Sequence, residues 1–127
     1  MAKIAVIDDS KAILLSVKEY LGGLTEIHLF EDVDLFLDST RTEHYDLFIV
    51  DINMPKKNGL DVINEIKDYP HLKDSKMVIM TAEKSDKYRE LAKQLGVKAY
   101  IKKPFSKDSL QNAIKKILSS FGEGGGR

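Results

Sequence analysis

The sequence predicts a single α/β domain built on a parallel β-sheet with helices on both faces. Short apolar runs alternate along the chain with stretches in which apolar residues recur at helical spacing. Two of the runs, FIVD and VIMT, stay apolar until their last residue, which is typical of central strands covered on both faces. At 127 residues and 43% hydrophobic content, the chain is long enough to bury one core without a structural metal or disulfides.

Five apolar runs give the predicted strands, at 4–7, 27–30, 47–50, 77–80 and 99–101. The second run is interrupted by His28 and the fifth is short, so we expect these two strands at the edges of the sheet. The first, third and fourth strands then lie in the middle. Helices between parallel strands imply right-handed crossovers.

Helical spacing follows the strands, most regularly in the last third of the chain. A second helix is expected within 32–40, Gly22, Gly23 and Gly96 are expected at helix C-caps, and Ser106 is expected as the N-cap of the last helix. The Gly-rich segment 122–127 is expected to be a flexible tail or the start of a linker, so the predicted domain covers residues 1–121. The apolar residues that set the helical pattern include Ile13, Val17, Leu21, Tyr88, Leu91, Leu95, Leu110, Ile114, Ile117 and Phe121.

Composition excludes several classes of protein. Cysteine is absent, which rules out a disulfide framework and a thiolate nucleophile and suits a reducing compartment. Lys plus Arg and Asp plus Glu both total 20, so net charge gives no reason to expect nucleic acid or an anionic membrane as a partner. The N-terminal segment becomes acidic too early for a signal peptide, and no apolar run approaches membrane-spanning length. We therefore expect a soluble, cytoplasmic protein.

Polar side chains terminate the predicted central strands. Asp8 and Asp9 end the first strand, Asp51 ends the third, Thr81 ends the fourth and Lys103 follows the fifth. Because the carboxyl ends of parallel strands meet at one edge of a sheet, we expect these groups in one place. Three carboxylates repel one another unless a cation lies among them, and a loose set of oxygen ligands favours Mg²⁺. A lysine and a hydroxyl opposite the metal can hold the oxygens of a phosphoryl group.

These motifs resemble the receiver domain of two-component response regulators, including the chemotaxis receiver, over residues 3–121. The resemblance implies a flavodoxin-like, doubly wound five-stranded parallel sheet of order 2-1-3-4-5. The motifs that carry it are Asp8-Asp9, D-x-x-M-P-x-x-x-G from Asp51 to Gly59, Thr81-Ala82, and Lys103-Pro104-Phe105.

The resemblance implies a role for each matching residue at the metal site. Asp51 is the phosphoacceptor, and Asp9 is a direct Mg²⁺ ligand, with Asp8 acting largely through water. The backbone carbonyl of Asn53 completes the protein's share of the metal shell. Gly59 is expected to permit a backbone angle that is costly for other residues.

The remaining roles concern the phosphoryl group and the response to it. The Thr81 hydroxyl, the Ala82 backbone N–H and Lys103 are expected to contact phosphoryl oxygens. Asn53 and Glu83 stand where the family tunes dephosphorylation, and the same pair occurs in the chemotaxis receiver. Thr81 and Tyr100 match the residues of the family's conformational switch.

The implied function is a phosphorylation-dependent signalling switch that catalyses only its own phosphorylation and dephosphorylation. The implied phosphodonor is a sensor histidine kinase or a histidine phosphotransfer protein. The implied output is a downstream protein that binds the fourth helix, fifth strand and fifth helix. The chain is expected to be either a stand-alone receiver or a receiver cut from a longer protein. The last helix lacks the acidic and arginine pattern of receivers that dimerise to bind DNA, which favours a stand-alone monomer.

Two other functions fit parts of the pattern. Haloacid-dehalogenase-like Mg²⁺-dependent phosphatases also use a strand-end aspartate, but Ser10 stands where their second aspartate is expected, and the chain has no room for a cap domain. A flavodoxin-like cofactor binder needs a phosphate loop rich in Ser, Thr or Gly after the first strand, whereas DDSKA would repel an anion.

Overall fold

The computed structural model describes residues 1–82 and 85–125, with side chains described as far as residue 119. Within this part of the chain, five strands form one sheet in the order β2-β1-β3-β4-β5. Every neighbouring pair of strands is parallel, which confirms the predicted fold class and the predicted edge positions of β2 and β5. The strands are β1 (Lys3–Ile7), β2 (Glu26–Phe30), β3 (Leu47–Val50), β4 (Lys76–Thr81) and β5 (Ala99–Lys102).

Helices connect the strands in the alternating order that the sequence predicts. They are α1 (Lys11–Leu21), α2 (Val33–Thr42), α3 (Gly59–Ile66), α4 (Asp86–Gln94) and α5 (Lys107–Gly125), with a short 3₁₀ helix at Pro70–Leu72. The predicted domain end at residue 121 stays a prediction. Residues 126–127 of the predicted tail lie outside the described residues.

Short polar side chains fix where the helices begin. The Ser10 hydroxyl accepts the N–H of Ile13 at the start of α1, and the Asp32 carboxylate accepts two N–H groups at the start of α2. Ser106 does the same for α5 by accepting the N–H of Ser109, as predicted. Gly96 follows α4 with φ of +84°, the left-handed conformation that favours glycine.

Two apolar layers cover the sheet, because alternate residues of each strand point to opposite faces. In β3, Phe48 and Val50 face the layer that contains α2 and α3. Leu47 and Ile49 face the layer that contains α1 and α5. All four residues of β3 are fully buried, so the strand that ends at Asp51 lies at the centre of the core.

Candidate functional site

The carboxyl ends of the strands bring three acids together. Oxygen atoms of Asp8, Asp9 and Asp51 all lie within 4.8 Å of one another. Asp8 and Asp51 are buried, whereas Asp9 is exposed to solvent. The burial follows from the sheet, since β1 and β3 are paired neighbours and the N–H of Asp51 donates to the carbonyl of Ile7 at 3.1 Å.

Asp8 is held in place on one side by the start of α1. Its Oδ1 accepts the backbone N–H of Ser10 at 2.9 Å. Its Oδ2 lies 2.6 Å from the Lys103 Nζ, and although this is an ion pair, Oδ2 accepts no well-aligned hydrogen bond from any described residue. A fully buried carboxylate oxygen without an aligned donor is costly, and a cation at the site, bound directly or through water, would satisfy it.

Asp51 is an acid whose pKa is strongly raised by its surroundings. Burial, and after it the neighbouring Asp8 carboxylate, raise its pKa from 3.8 to about 6 against the opposing effects of Lys103 and of the Asn53 backbone N–H. The Lys103 Nζ lies 3.5 Å from the Asp51 Oδ2, farther than from Asp8. Both acids thus share one lysine, which leaves negative charge in excess at the site.

The loop after Asp51 is shaped by the close approach of its backbone to α3. The N–H of Gly59 donates to the carbonyl of Ile52 at 2.9 Å, and a Cβ at residue 59 would lie 2.0 Å from the Asp51 carbonyl oxygen. The expectation of a costly backbone angle at Gly59 is wrong, since its φ is not positive. Glycine is needed here because there is no room for a side chain. Met54 of the same loop is buried, whereas Pro55 is exposed.

The predicted phosphoryl-binding residues lie at the ends of the neighbouring strands. Thr81 is fully buried as the last residue of β4, and Ala82 follows it exposed to solvent. The N–H of Lys103 donates to the carbonyl of Thr81 at 2.9 Å, which ties the end of β5 to the end of β4. The Lys103 side chain is 15% exposed and points to the acids. The fold therefore brings together Asp8, Asp9, Asp51, Thr81 and Lys103, as the sequence predicts.

Tyr100 lies in the middle of β5 and is half-buried. The Arg89 guanidinium of α4 stacks over its ring, 4.4 Å from the ring centroid. Tyr100 is thus in contact with α4 across the edge of the sheet. Glu83, which the resemblance places in dephosphorylation, lies outside the described residues.

Sequence reasoning missed two contributors to the site. The backbone N–H of Ser10 fixes the Asp8 carboxylate, and a helix N-cap two residues after the acid was the available signal. Lys56, in the loop after Asp51, lies 3.2 Å from an oxygen of Asp34 and 3.9 Å from one of Asp32, so this loop contacts the start of α2. No local pattern reveals this pairing, because its partners are more than 20 residues apart.

The donor set fits a hard divalent cation. Three carboxylates with closely spaced oxygens, one of them buried without an aligned hydrogen bond, supply the charge and the ligand type that Mg²⁺ prefers. Exposure of Asp9 leaves one side open to water, which Mg²⁺ retains readily. The acidic cluster can therefore bind a metal ion.

Comparison with known proteins identifies the class. Residues 4–115 match the family model of the response regulator receiver domain. The chain belongs to this family, whose members are phosphorylation-dependent switches of two-component signalling.

Among curated proteins, the chemotaxis protein CheY of Pseudomonas aeruginosa is 31% identical over 91% of this chain and 95% of its own length. The transcriptional regulatory protein CpxR of Klebsiella pneumoniae is also 31% identical, over 93% of this chain, but the chain spans only half of its length. Among solved structures, a CheY-like receiver domain protein of Methanospirillum hungatei superposes with a TM-score of 0.88 at 25% identity, covering 94% of this chain and 95% of that one. The "BeF3 Activated DrrB Receiver Domain" gives 0.85 at 28% identity, covering 94% and 98%.

These matches lend no support to the haloacid-dehalogenase-like alternative. Within the described residues, no helix is long and apolar enough to cross a membrane.

Proposed function

We propose that Asp51 is the phosphoacceptor of this receiver domain. The observation that carries the proposal is the position of Asp51: a buried carboxylate at the end of the central strand, beside a second buried acid and 3.5 Å from the Lys103 Nζ. With a pKa of about 6, the carboxyl group is largely ionised at pH 7 and can act as a nucleophile.

Asp8, Asp9, Asp51 and the backbone carbonyl of Asn53 are the residues that would hold Mg²⁺. Asp9 is proposed as a direct ligand, and Asp8 as a ligand acting largely through water. The metal supplies charge neutralisation, so that an anionic nucleophile and an anionic phosphoryl group can approach each other.

In the proposed reaction, an Asp51 oxygen attacks the phosphorus of the donor. A bond forms between that oxygen and phosphorus, the bond from phosphorus to the donor breaks, and the leaving group keeps the electron pair. Lys103, the Thr81 hydroxyl and the Ala82 N–H are proposed to hold phosphoryl oxygens, so that positive charge and hydrogen-bond donors surround the product. The product is an acyl phosphate, and its hydrolysis regenerates Asp51.

The phosphoryl group is proposed to act as a switch by drawing Thr81 towards it. Tyr100 then changes position at the edge of the sheet, where it already contacts Arg89 of α4. The surface formed by α4, β5 and α5 is proposed to bind the downstream protein in the phosphorylated population. Asn53 and Glu83 are proposed to tune attack by water on the acyl phosphate.

The proposed phosphodonor is a sensor histidine kinase or a histidine phosphotransfer protein in the cytoplasm. The domain is proposed to work as a monomer without direct contact to nucleic acid or membrane. Its only catalysis is of its own phosphorylation and dephosphorylation.

Intact mass spectrometry tests the proposal. The protein is incubated with Mg²⁺ and acetyl phosphate, with parallel samples of Asp51→Ala and of wild type in chelator. A gain of one phosphoryl group in the wild type, absent from both parallel samples, is the expected result. A gain that survives Asp51→Ala would mean that a different residue is the acceptor.

A further inference from the structure

The loop that follows Asp51, residues 52–58, ends in an asparagine that precedes a glycine. The chain has four asparagines, at 53, 58, 64 and 112, and among them only Asn58 is followed by glycine. Asparagine is thermolabile because the backbone nitrogen of the next residue can attack its side-chain amide. Glycine in the next position adds no side chain that hinders the attack and gives the backbone the most freedom to reach it. Asn58 is therefore the most reactive asparagine of this sequence.

The folded protein holds Asn58 in an arrangement that disfavours this attack. Asn58 is the N-cap of α3, with an extended backbone at ψ of 138°. Its side-chain oxygen accepts the N–H of Leu60 at 2.7 Å. The attacking atom would be the nitrogen of Gly59, whose N–H donates to the carbonyl of Ile52 at 2.9 Å. An extended ψ turns this nitrogen away from the Asn58 side chain, whereas attack needs the two side by side.

The attack therefore requires the loop 52–58 to open. Rotation of the Asn58 backbone towards the reactive arrangement breaks the hydrogen bond between Gly59 and Ile52 and also the cap of α3. The first of these bonds ties the end of the loop to its beginning. Local opening of a folded protein is infrequent, and a reaction that needs it proceeds in proportion to the open fraction.

We propose that Asn58 is a deamidation site controlled by opening of the loop 52–58. In the open loop, the Gly59 nitrogen loses its proton and forms a bond to the Asn58 Cγ. The bond from Cγ to Nδ2 breaks, and the leaving NH₂ group takes up a proton and departs as ammonia. A five-membered succinimide ring remains, and water opens it. Opening at Cγ gives aspartate, whereas opening at the backbone carbonyl carbon gives isoaspartate, in which the chain runs through Cβ and Cγ.

Isoaspartate at residue 58 would not fit the folded loop, because it lengthens the backbone by one methylene group beside Gly59. Gly59 is buried, and a Cβ on it would lie 2.0 Å from the Asp51 carbonyl oxygen, so the backbone there has no spare room. We expect the added carbon to displace Asp51 and to prevent its phosphorylation. This consequence, unlike the deamidation itself, rests on the proposed function of Asp51.

The first experiment follows the modification in the full chain. Wild type and Asn58→Ser, which keeps a capping hydroxyl group but has no amide to lose, are incubated in mildly alkaline buffer at several concentrations of guanidinium chloride. Tandem mass spectrometry with electron-transfer fragmentation locates the product and distinguishes aspartate from isoaspartate. Asn112, which is exposed and followed by alanine, is the internal control.

In the unfolded chain, residue 58 should convert faster than Asn112 and mainly to isoaspartate. In the folded chain, conversion of residue 58 should be slower by about tenfold or more, because the loop must first open. Below the unfolding transition this slow rate should change little with guanidinium, since local opening exposes little surface. Equal rates in the folded and unfolded chains, a steep rise with guanidinium below the transition, or faster conversion of Asn112 would overturn the proposal.

The second experiment measures phosphorylation after deamidation. Deamidated and fresh proteins are separated by ion exchange and treated with Mg²⁺ and acetyl phosphate, beside Asn58→Asp, which has the charge of the product without the added backbone carbon. The isoaspartate form should gain no phosphoryl group, whereas Asn58→Asp should gain one. An equal gain by the isoaspartate form, or no gain by Asn58→Asp, would overturn the argument from backbone length. No gain by the fresh protein would refute the proposed function of Asp51 and leave the deamidation result standing.

Discussion

Neutralising Asp51 should stabilise the metal-free protein at neutral pH. The folded protein holds this acid at a pKa of about 6, against 3.8 for the ordinary group, so the folded state binds the proton more tightly than the unfolded state. The protonated Asp51 carboxyl group therefore contributes to the free energy of unfolding at pH 4, and this contribution is lost as the pH rises through about 6. A difference of roughly two pKa units corresponds to about 3 kcal/mol.

Asp51→Asn replaces the ionised acid by a neutral group of the same size. We expect it to be more stable than the wild type by about 2–3 kcal/mol at pH 7 in chelator, a rise in Tm of about 6–12 °C. The advantage should shrink as the pH falls and disappear near pH 4. Urea unfolding at several pH values between 4 and 8, for both proteins, measures it.

Comparison of the two proteins removes the effects of other acids. The pKa values of Glu26 and Asp32 are lowered by hydrogen bonds, so their contributions to stability are lost as the pH falls, equally in both proteins. Asp74→Asn, at an exposed acid distant in sequence from the site, is the control and should change stability by less than about 0.5 kcal/mol. Equal stability of Asp51→Asn and wild type at pH 7 would refute the argument that charge at Asp51 opposes folding.

Two further variants test the packing and the charge of the site. Gly59→Ala should lower the free energy of unfolding by about 3 kcal/mol, because the new Cβ would overlap the Asp51 carbonyl oxygen. The control is Gly23→Ala, which should change stability little because nothing lies within 4 Å of its new Cβ. Equal unfolding free energies of the two variants in urea would contradict this prediction. Lys103→Met should tighten Mg²⁺ binding by roughly tenfold, because it removes the ammonium group that lies 2.6 Å from the Asp8 carboxylate, and it should slow phosphorylation. Calorimetric titration measures the Mg²⁺ affinity. Weaker Mg²⁺ binding by the variant would argue against competition between the lysine and the metal.

The architecture was predictable because the signals that set it are local. The continuous apolar run at 47–50 predicts a strand buried on both faces, and all four of its residues are buried. Parallel topology then places every strand end at one edge, so the convergence of Asp8, Asp51 and Lys103 follows without side-chain detail.

Details that depend on packing between distant elements could not be predicted in this way. The sequence shows a glycine at 59 but not that the Asp51 carbonyl fills the space beside it. The stacking of Arg89 on Tyr100 depends on how α4 lies against β5, which residue spacing does not fix. Lys103 likewise lies closer to Asp8, at 2.6 Å, than to Asp51, at 3.5 Å, and residue spacing does not predict a difference of 0.9 Å.

The proposal that Asp51 is the phosphoacceptor is tested most directly by locating the phosphoryl group. Borohydride reduces an acyl phosphate to an alcohol, which converts a phosphorylated aspartate into homoserine. After treatment with Mg²⁺ and acetyl phosphate and then borohydride, tandem mass spectrometry should find homoserine at residue 51, and chelator should prevent it. Homoserine at Asp8 or Asp9 instead, or at no residue while the protein binds Mg²⁺, would contradict the account.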